Sequence, residues 1–214
     1  MSVLLLTVAE ARALAALTEK SLTTPDYYPM TVNGLMAACN QKSSRYPVLA
    51  LTEGEVGNAL LTLEDKGFVG RDDSSARATK WRSRFLHQLL LKPATQAVLV
   101  TLMLRGPQTT AELRSNAAPL NGPTEADGVQ AALDDLADRA QPLVMTLPRM
   151  TGQSAVRHAH LLCGEPDLAD MVAAPERSSG AAERNTLLEA RVAQLEARLA
   201  ALEAQLGVAP ASAG

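Results

Sequence analysis

Aromatic side chains are scarce in this chain: they make up 3% of its 214 residues, with one Trp, two Phe and three Tyr. A core short of rings must be built from Leu, Val, Ala and Met, which favours packed helices over sandwiches and barrels. Cysteine is equally rare. Cys39 and Cys163 lie far apart, in neither a CxxC nor a metal-ligand spacing, so a reduced, cytoplasmic chain without a disulfide framework is expected. Basic charge is not in excess: 20 Lys and Arg face 23 Asp and Glu, for a net charge of −3. That excludes a globally basic nucleic-acid binder and leaves room for a local patch. Long apolar runs are missing too. The longest, near residues 97–104, is broken by Thr101 and falls far short of the roughly 20 residues of a membrane helix. The apolar start, Met1 to Leu6, has no basic region before it and soon meets Glu10 and Arg12, so no secretion signal is expected. No Gly-rich phosphate loop, HExxH or GxSxG motif is present. The expectation is a non-enzymatic protein with no cofactor, no metal and no membrane partner.

What is there is a rhythm of capped helices. Thr7-Val-Ala-Glu10 reads as a capping box, in which the hydroxyl bonds the Glu10 amide and the carboxylate reaches back. Ala11, Leu14, Ala15 and Leu17 follow as one apolar stripe. The turn residues of Thr23-Thr-Pro-Asp-Tyr-Tyr-Pro29 stop that helix. A second helix is predicted from Val32 to Asn40, then a polar loop, Gln41-Lys-Ser-Ser-Arg-Tyr-Pro47. Thr52 and Glu55 form a second capping box, Val56, Leu60 and Leu63 face inward, and Gly67 is placed to end the third helix. Phe68 to Trp81 reads as a hairpin around a polar turn. Three helices and a hairpin make a winged helix.

The order then repeats. Pro93 opens a helix that Arg105-Gly106-Pro107 closes, and Thr109 with Glu112 caps a short helix carrying Leu113. Thr124 to Asp127 starts a third helix, with Val129, Leu133 and Leu136 at the spacing of Val56, Leu60 and Leu63. Strand candidates at Leu143–Leu147 and Ala155–Leu162 follow. The fold class expected is mainly α with small β-hairpins: two tandem winged-helix (helix-turn-helix) domains, residues 1–90 and 91–165. Residues 166–182 have the Pro, Asp, Ala and Ser content of a linker. Residues 183–207 carry a heptad register, with Asn185, Val192, Leu199 and Leu206 at a and Leu188, Leu195 and Leu202 at d. Arg184–Glu189, Arg191–Glu196 and Arg198–Glu203 are then attractive g-to-e pairs between parallel strands, and Asn185 at a favours a two-stranded register. A homodimeric coiled coil is expected, with a helix docked on its own chain as the alternative.

Residues 6–165 also resemble a known group. The matching stretches are Thr7-Val-Ala-Glu-Ala-Arg12, Glu19-Lys20, Thr23-Thr-Pro-Asp26, Tyr28-Pro29, Asn33, Ala38-Cys-Asn-Gln-Lys-Ser-Ser-Arg45, Pro47-Val48 and Glu55-Val56. Leu104-Arg-Gly106, Glu112-Leu-Arg114 and His160 extend them. Together they are similar to the YceH-like proteins, an uncharacterised bacterial group with a domain of unknown function. Ser44 stands where Asn is expected in many relatives, and His158 where an aromatic is more usual. The resemblance implies tandem winged helices and no transferable activity; going from that fold to DNA is analogy.

Charge locates the surfaces that could act. In a DNA-binding winged helix the third helix enters the major groove and needs Lys or Arg to meet phosphate. Here helix 52–66 carries Glu53, Glu55, Glu64 and Asp65 against Lys66, and helix 124–139 carries Glu125, Asp127, Asp134, Asp135 and Asp138 against Arg139. Basic residues gather elsewhere. Arg71, Arg77, Lys80, Arg82 and Arg84 lie on or after the first hairpin, and Lys42 and Arg45 lie on the polar loop with Asn40 and Gln41. These nine are the candidate contacts to nucleic acid or a partner protein. The opposing readings are a hairpin edge guarded by charge and a loop tied down by its own side chains. His158, His160 and Cys163 cluster but offer only three ligands for zinc, so surface or partly buried histidines are expected.

Overall fold

In the computed structural model, residues 4–72, 78–149 and 155–166 are described. Local chemistry sets the helix starts. Thr7 Oγ1 accepts from the Glu10 amide and Glu10 accepts from the Thr7 amide, both at 3.2 Å, at the head of α1 (Val8–Thr23). After α2 (Val32–Cys39), Thr52 and Glu55 repeat this box for α3 (Glu53–Asp65). A hairpin follows, β1 (Val69–Asp72) antiparallel to β2 (Lys80–Ser83), with Arg71 opposite Trp81 and Asp72 opposite Lys80. One short turn, α4 (Phe85–Gln88), leads into α5 (Pro93–Arg105). Then come α6 (Thr110–Ala117), capped by Thr109 and Glu112, and α7 (Ala126–Ala137). A second hairpin ends the series, β3 (Val144–Thr146) against β4 (His158–His160), with Thr146 opposite His158. Gly67 and Gly106, at φ of 79° and 68°, end α3 and α5 in a conformation that side chains resist.

The predicted order of three helices and a hairpin is thus present twice, and one further detail repeats with it. Met30, between α1 and α2, exchanges both backbone hydrogen bonds with Trp81 of β2, at 3.2 and 2.8 Å. Gln108, between α5 and α6, does the same with His158 of β4, at 3.0 and 2.8 Å. Each half therefore folds its first inter-helix segment onto the second strand of its hairpin.

The halves share one core. The apolar stripe expected on α1 is buried, and so is the rest of the helix from Glu10 to Thr18, because α1 packs on α2 and α3 on one side and on α5 on the other. α5 is likewise buried from Thr95 to Leu104. Helices buried all round belong inside; their polar members Arg12, Thr18 and Thr101 bond carbonyls of the protein, and Ala13, Ala15 and Ala16 let neighbours approach α1 closely. The change of half near residue 90 is a boundary in topology that the packing crosses. α7 starts within the predicted Thr124–Asp127 stretch: Glu125 takes the N-cap position and makes no side-chain bond.

Residues 167–182 of the stretch read as a linker, the heptad positions Asn185, Leu188, Val192, Leu195, Leu199, Leu202 and Leu206, and Arg77 all lie outside the described residues.

Candidate nucleic-acid interface

Strand alternation sorts the first hairpin. Val69 and Trp81 are buried, while Lys80 and Arg82 alternate with Trp81 and leave the core. Arg82 is exposed and pairs with Asp72 (Nε–Oδ2 2.6 Å) across the strands. Its guanidinium lies over the Tyr28 ring, 5.8 Å from the centroid, and the Tyr28 hydroxyl accepts from the Ser83 amide at 2.6 Å. Burial pushes the Tyr28 phenol above its ordinary pKa against the opposing effect of that hydrogen bond. Arg84 is exposed, and its guanidinium rests over Gly70: a Cβ there would stand 2.6 Å from one of its terminal nitrogens. Arg71 bonds Glu64 of α3 at 2.9 and 3.1 Å and covers the Trp81 ring at 5.3 Å. Three of the five basic residues assigned to this element, Arg71, Arg82 and Arg84, are therefore held against it, and the first two have carboxylate partners that the sequence does not announce.

The polar loop is differently employed. Asn40 clasps Leu51, accepting from its amide and donating to its carbonyl, both at 2.8 Å. Arg45, at 6% exposure, is buried, although the loop had no evident core residue. It forks onto Glu19 of α1 (Nη1–Oε1 3.1 Å), donates to the Ala38 carbonyl at 3.1 Å, and donates to Gln41 Oε1 at 2.9 Å. Beneath it Arg12, 3% exposed, donates to the Cys39 and Pro47 carbonyls at 3.1 and 2.7 Å. Burial, and next Arg45, lower the Arg12 pKa; burial lifts the Cys39 thiol to about 12, so it is no nucleophile at neutral pH. The Tyr46 amide reaches the Leu104 carbonyl at 2.7 Å and Arg105 donates to Ser44 Oγ at 2.7 Å, so the loop fastens the two halves together. Of the loop candidates, Lys42 alone projects into solvent. Asn40, Gln41 and Arg45 bond the protein itself.

Elsewhere the third helices stay acidic and their cations are engaged. Lys66 bonds Glu10 at 2.7 Å and the Leu5 carbonyl at 3.2 Å, and Arg139 bonds the Leu89 carbonyl at 2.6 Å and Asp135 at 3.3 Å. His158 is buried at 5% exposure rather than at the surface, with Nδ1 3.1 Å from Thr146 Oγ1, because its strand faces α5. Cys163 is exposed, its sulfur 3.9 Å from the Thr7 carbonyl. Among the described residues no group of three or more His, Cys, Asp or Glu side chains is placed to hold a metal ion. None of the helices there is long and apolar enough to cross a membrane.

Residues 6–153 match the family described as "Protein of unknown function, DUF480". A UPF0502 protein of Geobacter sulfurreducens is 46% identical over 175 residues, which cover 81% of this chain and 80% of that protein. A UPF0502 protein of Citrifermentans bemidjiense is 43% identical over 173 residues, covering 80% of each. One from Burkholderia ambifaria is 45% identical over 175 residues, covering 82% of this chain and 73% of that protein. These matches bear out the resemblance carried by the motifs between Thr7 and His160.

Proposed function

This chain belongs to the DUF480 family, and from that premise we propose that it is a non-enzymatic tandem winged-helix protein that associates with DNA through its first hairpin. The observation that carries this is the separation of charge. Arg71, Lys80, Arg82 and Arg84 lie on or just after one hairpin, where none fills the core and where Arg71 and Arg82 are paired with Glu64 and Asp72, while α3 and α7 bear an excess of carboxylates and their neighbouring cations, Lys66 and Arg139, bond the protein. Phosphate contact supplies most of the affinity of a DNA binder, so the hairpin is the element able to make it. The winged-helix reading is supported by the repeated bridge of Met30 to Trp81 and Gln108 to His158, which adds a third strand position to each hairpin.

The heptads of residues 183–207 extend the proposal to a parallel homodimer, which would present two such hairpins. The test is a mobility-shift titration of the full chain against mixed-sequence DNA at low salt. Retardation is expected, weakened when Arg71, Lys80, Arg82 and Arg84 are together replaced by Gln. Absence of any shift at low salt, where electrostatic affinity is greatest, would end the proposal.

A second reading, a protein adaptor, is favoured by the acidic outer faces of α3 and α7. Nuclease-resistant capture of the same partner protein, abolished on exchanging Glu53 and Asp65 for Lys, would support it.

A further inference from the structure

The segment between α1 and α2, whose Met30 pairs with β2, offers exposed aromatic surface near the charge of the first hairpin. Tyr27 is 80% exposed, against 36% for Tyr46 and 4% for Trp81. It closes the short 3-10 turn Pro25–Tyr27, and its amide is fixed to the Thr24 carbonyl at 3.1 Å. Its neighbour Tyr28 is anchored by its hydroxyl to Ser83 and lies beneath Arg82. Tyr27 is thus presented on a fastened turn, one residue from a ring that touches the cationic hairpin, and it contributes little to the core. Through Tyr28 and Arg82 the turn that carries this exposed ring is joined to the cationic hairpin, and an exposed ring near cations is what unpaired bases stack on while phosphates follow the cations.

Duplex DNA meets an obstacle here that a single strand avoids. Seating α3 in a major groove would bring Glu53 and Glu55, exposed in its first turn, toward the phosphates. A flexible strand can run along the hairpin without approaching α3.

Resting on the DNA association proposed above, we infer that this edge binds unpaired DNA strands, with a base stacked on Tyr27 and the backbone held by Lys80, Arg82 and Arg84. The test is fluorescence anisotropy on the full chain, with labelled oligothymidine of about 20 nucleotides, longer than a single-module site, and a mixed-sequence duplex of the same length. At low salt the single strand is expected to bind at least about 10-fold tighter than the duplex. Tyr27→Ala is expected to weaken single-strand binding about 10-fold, the scale of one base stack, and to leave the duplex affinity unchanged. Tyr27→Phe keeps the ring and is expected to keep the binding. Replacing Lys80, Arg82 and Arg84 with Gln is expected to lower the slope of log affinity against log salt by about 2, near 0.7 for each single-strand phosphate no longer neutralised. Because Tyr27 is so exposed, the thermal melt of Tyr27→Ala checks that the fold persists. Duplex binding as tight as single-strand binding, or a Tyr27→Ala variant that binds the strand like the parent chain, overturns the inference while DNA association stands. Binding of neither probe at low salt overturns both.

Discussion

The second hairpin makes stability depend on pH in a calculable way. The His160 ring buries Nδ1 without a hydrogen-bond partner among the described residues, and burial pushes its pKa down from 6.5 to about 4. His158 on the same strand is lowered too, chiefly by burial, with Asp134 acting in the opposite direction. Both rings are therefore neutral in the folded chain at pH values where the unfolded chain already carries the proton. Between pH 6.5 and about 4 the unfolded state binds more protons, so stability rises with pH across that window. The contribution is complete above pH 6.5 and is lost as pH falls toward 4. A gap of this size at His160 amounts to about 3 kcal/mol, taking roughly 1.4 kcal/mol per pH unit. Urea denaturation at several pH values measures it. Between pH 7 and pH 5 the parent chain should lose about 2 kcal/mol through this one group. His160→Phe, which fills the space and cannot titrate, should lose that much less over the same interval. A variant whose stability falls with pH as steeply as the parent's would refute the reasoning, as would an NMR titration of His160 with a midpoint near 6.5.

Four further outcomes are expected. Glu19→Gln removes a carboxylate bonded to the fully buried Arg45 side chain and should cost about 3–5 kcal/mol in urea denaturation; a loss within experimental error of zero would show that the loop does not depend on that pair. Leu90 is 85% exposed at φ 50°, where the Leu91 amide reaches the Leu86 carbonyl as in a glycine-terminated helix end, so Leu90→Gly should raise the free energy of urea unfolding by about 1 kcal/mol. Ser44, at φ 60°, should gain about 0.5 kcal/mol in the same assay as Asn, which tolerates that region better and retains an oxygen for Arg105. Leu195→Asp, at a d position of the heptads, should convert a dimeric full chain to a monomer in sedimentation velocity; an unchanged sedimentation coefficient would remove the coiled coil from the proposal.

What the sequence discloses and what it hides follow the range of the interactions involved. Thr7 with Glu10, Thr52 with Glu55 and Thr109 with Glu112 sit three residues apart, so their boxes can be read directly and the helices start where they should. Val56, Leu60, Leu63 and their counterparts on α7 follow helical periodicity and are buried. The total burial of α1 is another matter. Its stripe implies a solvent-facing side, and elements distant in sequence, α5 of the other half and β2 among them, cover it. The Met30–Trp81 bridge spans a single residue pair and has no periodicity to betray it. Arg45 is hidden for a similar reason: arginine is exposed by default, and the partner that makes its burial tolerable, Glu19, lies 26 residues earlier. At the candidate interface the basic residues are legible by type. Their pairing with Glu64 and Asp72, and the space that Gly70 leaves for Arg84, depend on cross-strand and helix-to-strand neighbours.

The helix start that makes α3 fold also bears on how it can meet DNA. A recognition helix approaches bases with its N-terminal end, and the free amides and positive dipole there attract phosphate. In α3 that end is already filled by the chain's own acids. The Glu55 carboxylate accepts from the Thr52 amide and from the Thr52 hydroxyl, both at 2.7 Å, and the first of these bonds leads in holding its pKa below the ordinary glutamate range. It stays ionised across the physiological range, with Glu53 beside it in the same turn. In α7 Glu125 occupies the N-cap position and Asp127 the first turn. These acids complement the helix dipoles, and their negative charge opposes a phosphate at either N-terminus, by direct capping at α3 and by proximity alone at α7, where Glu125 makes no side-chain bond. Acids at both third-helix N-termini disfavour a phosphate there, which is the physical reason contact with DNA is proposed at the first hairpin, where Lys80, Arg82 and Arg84 turn away from the core.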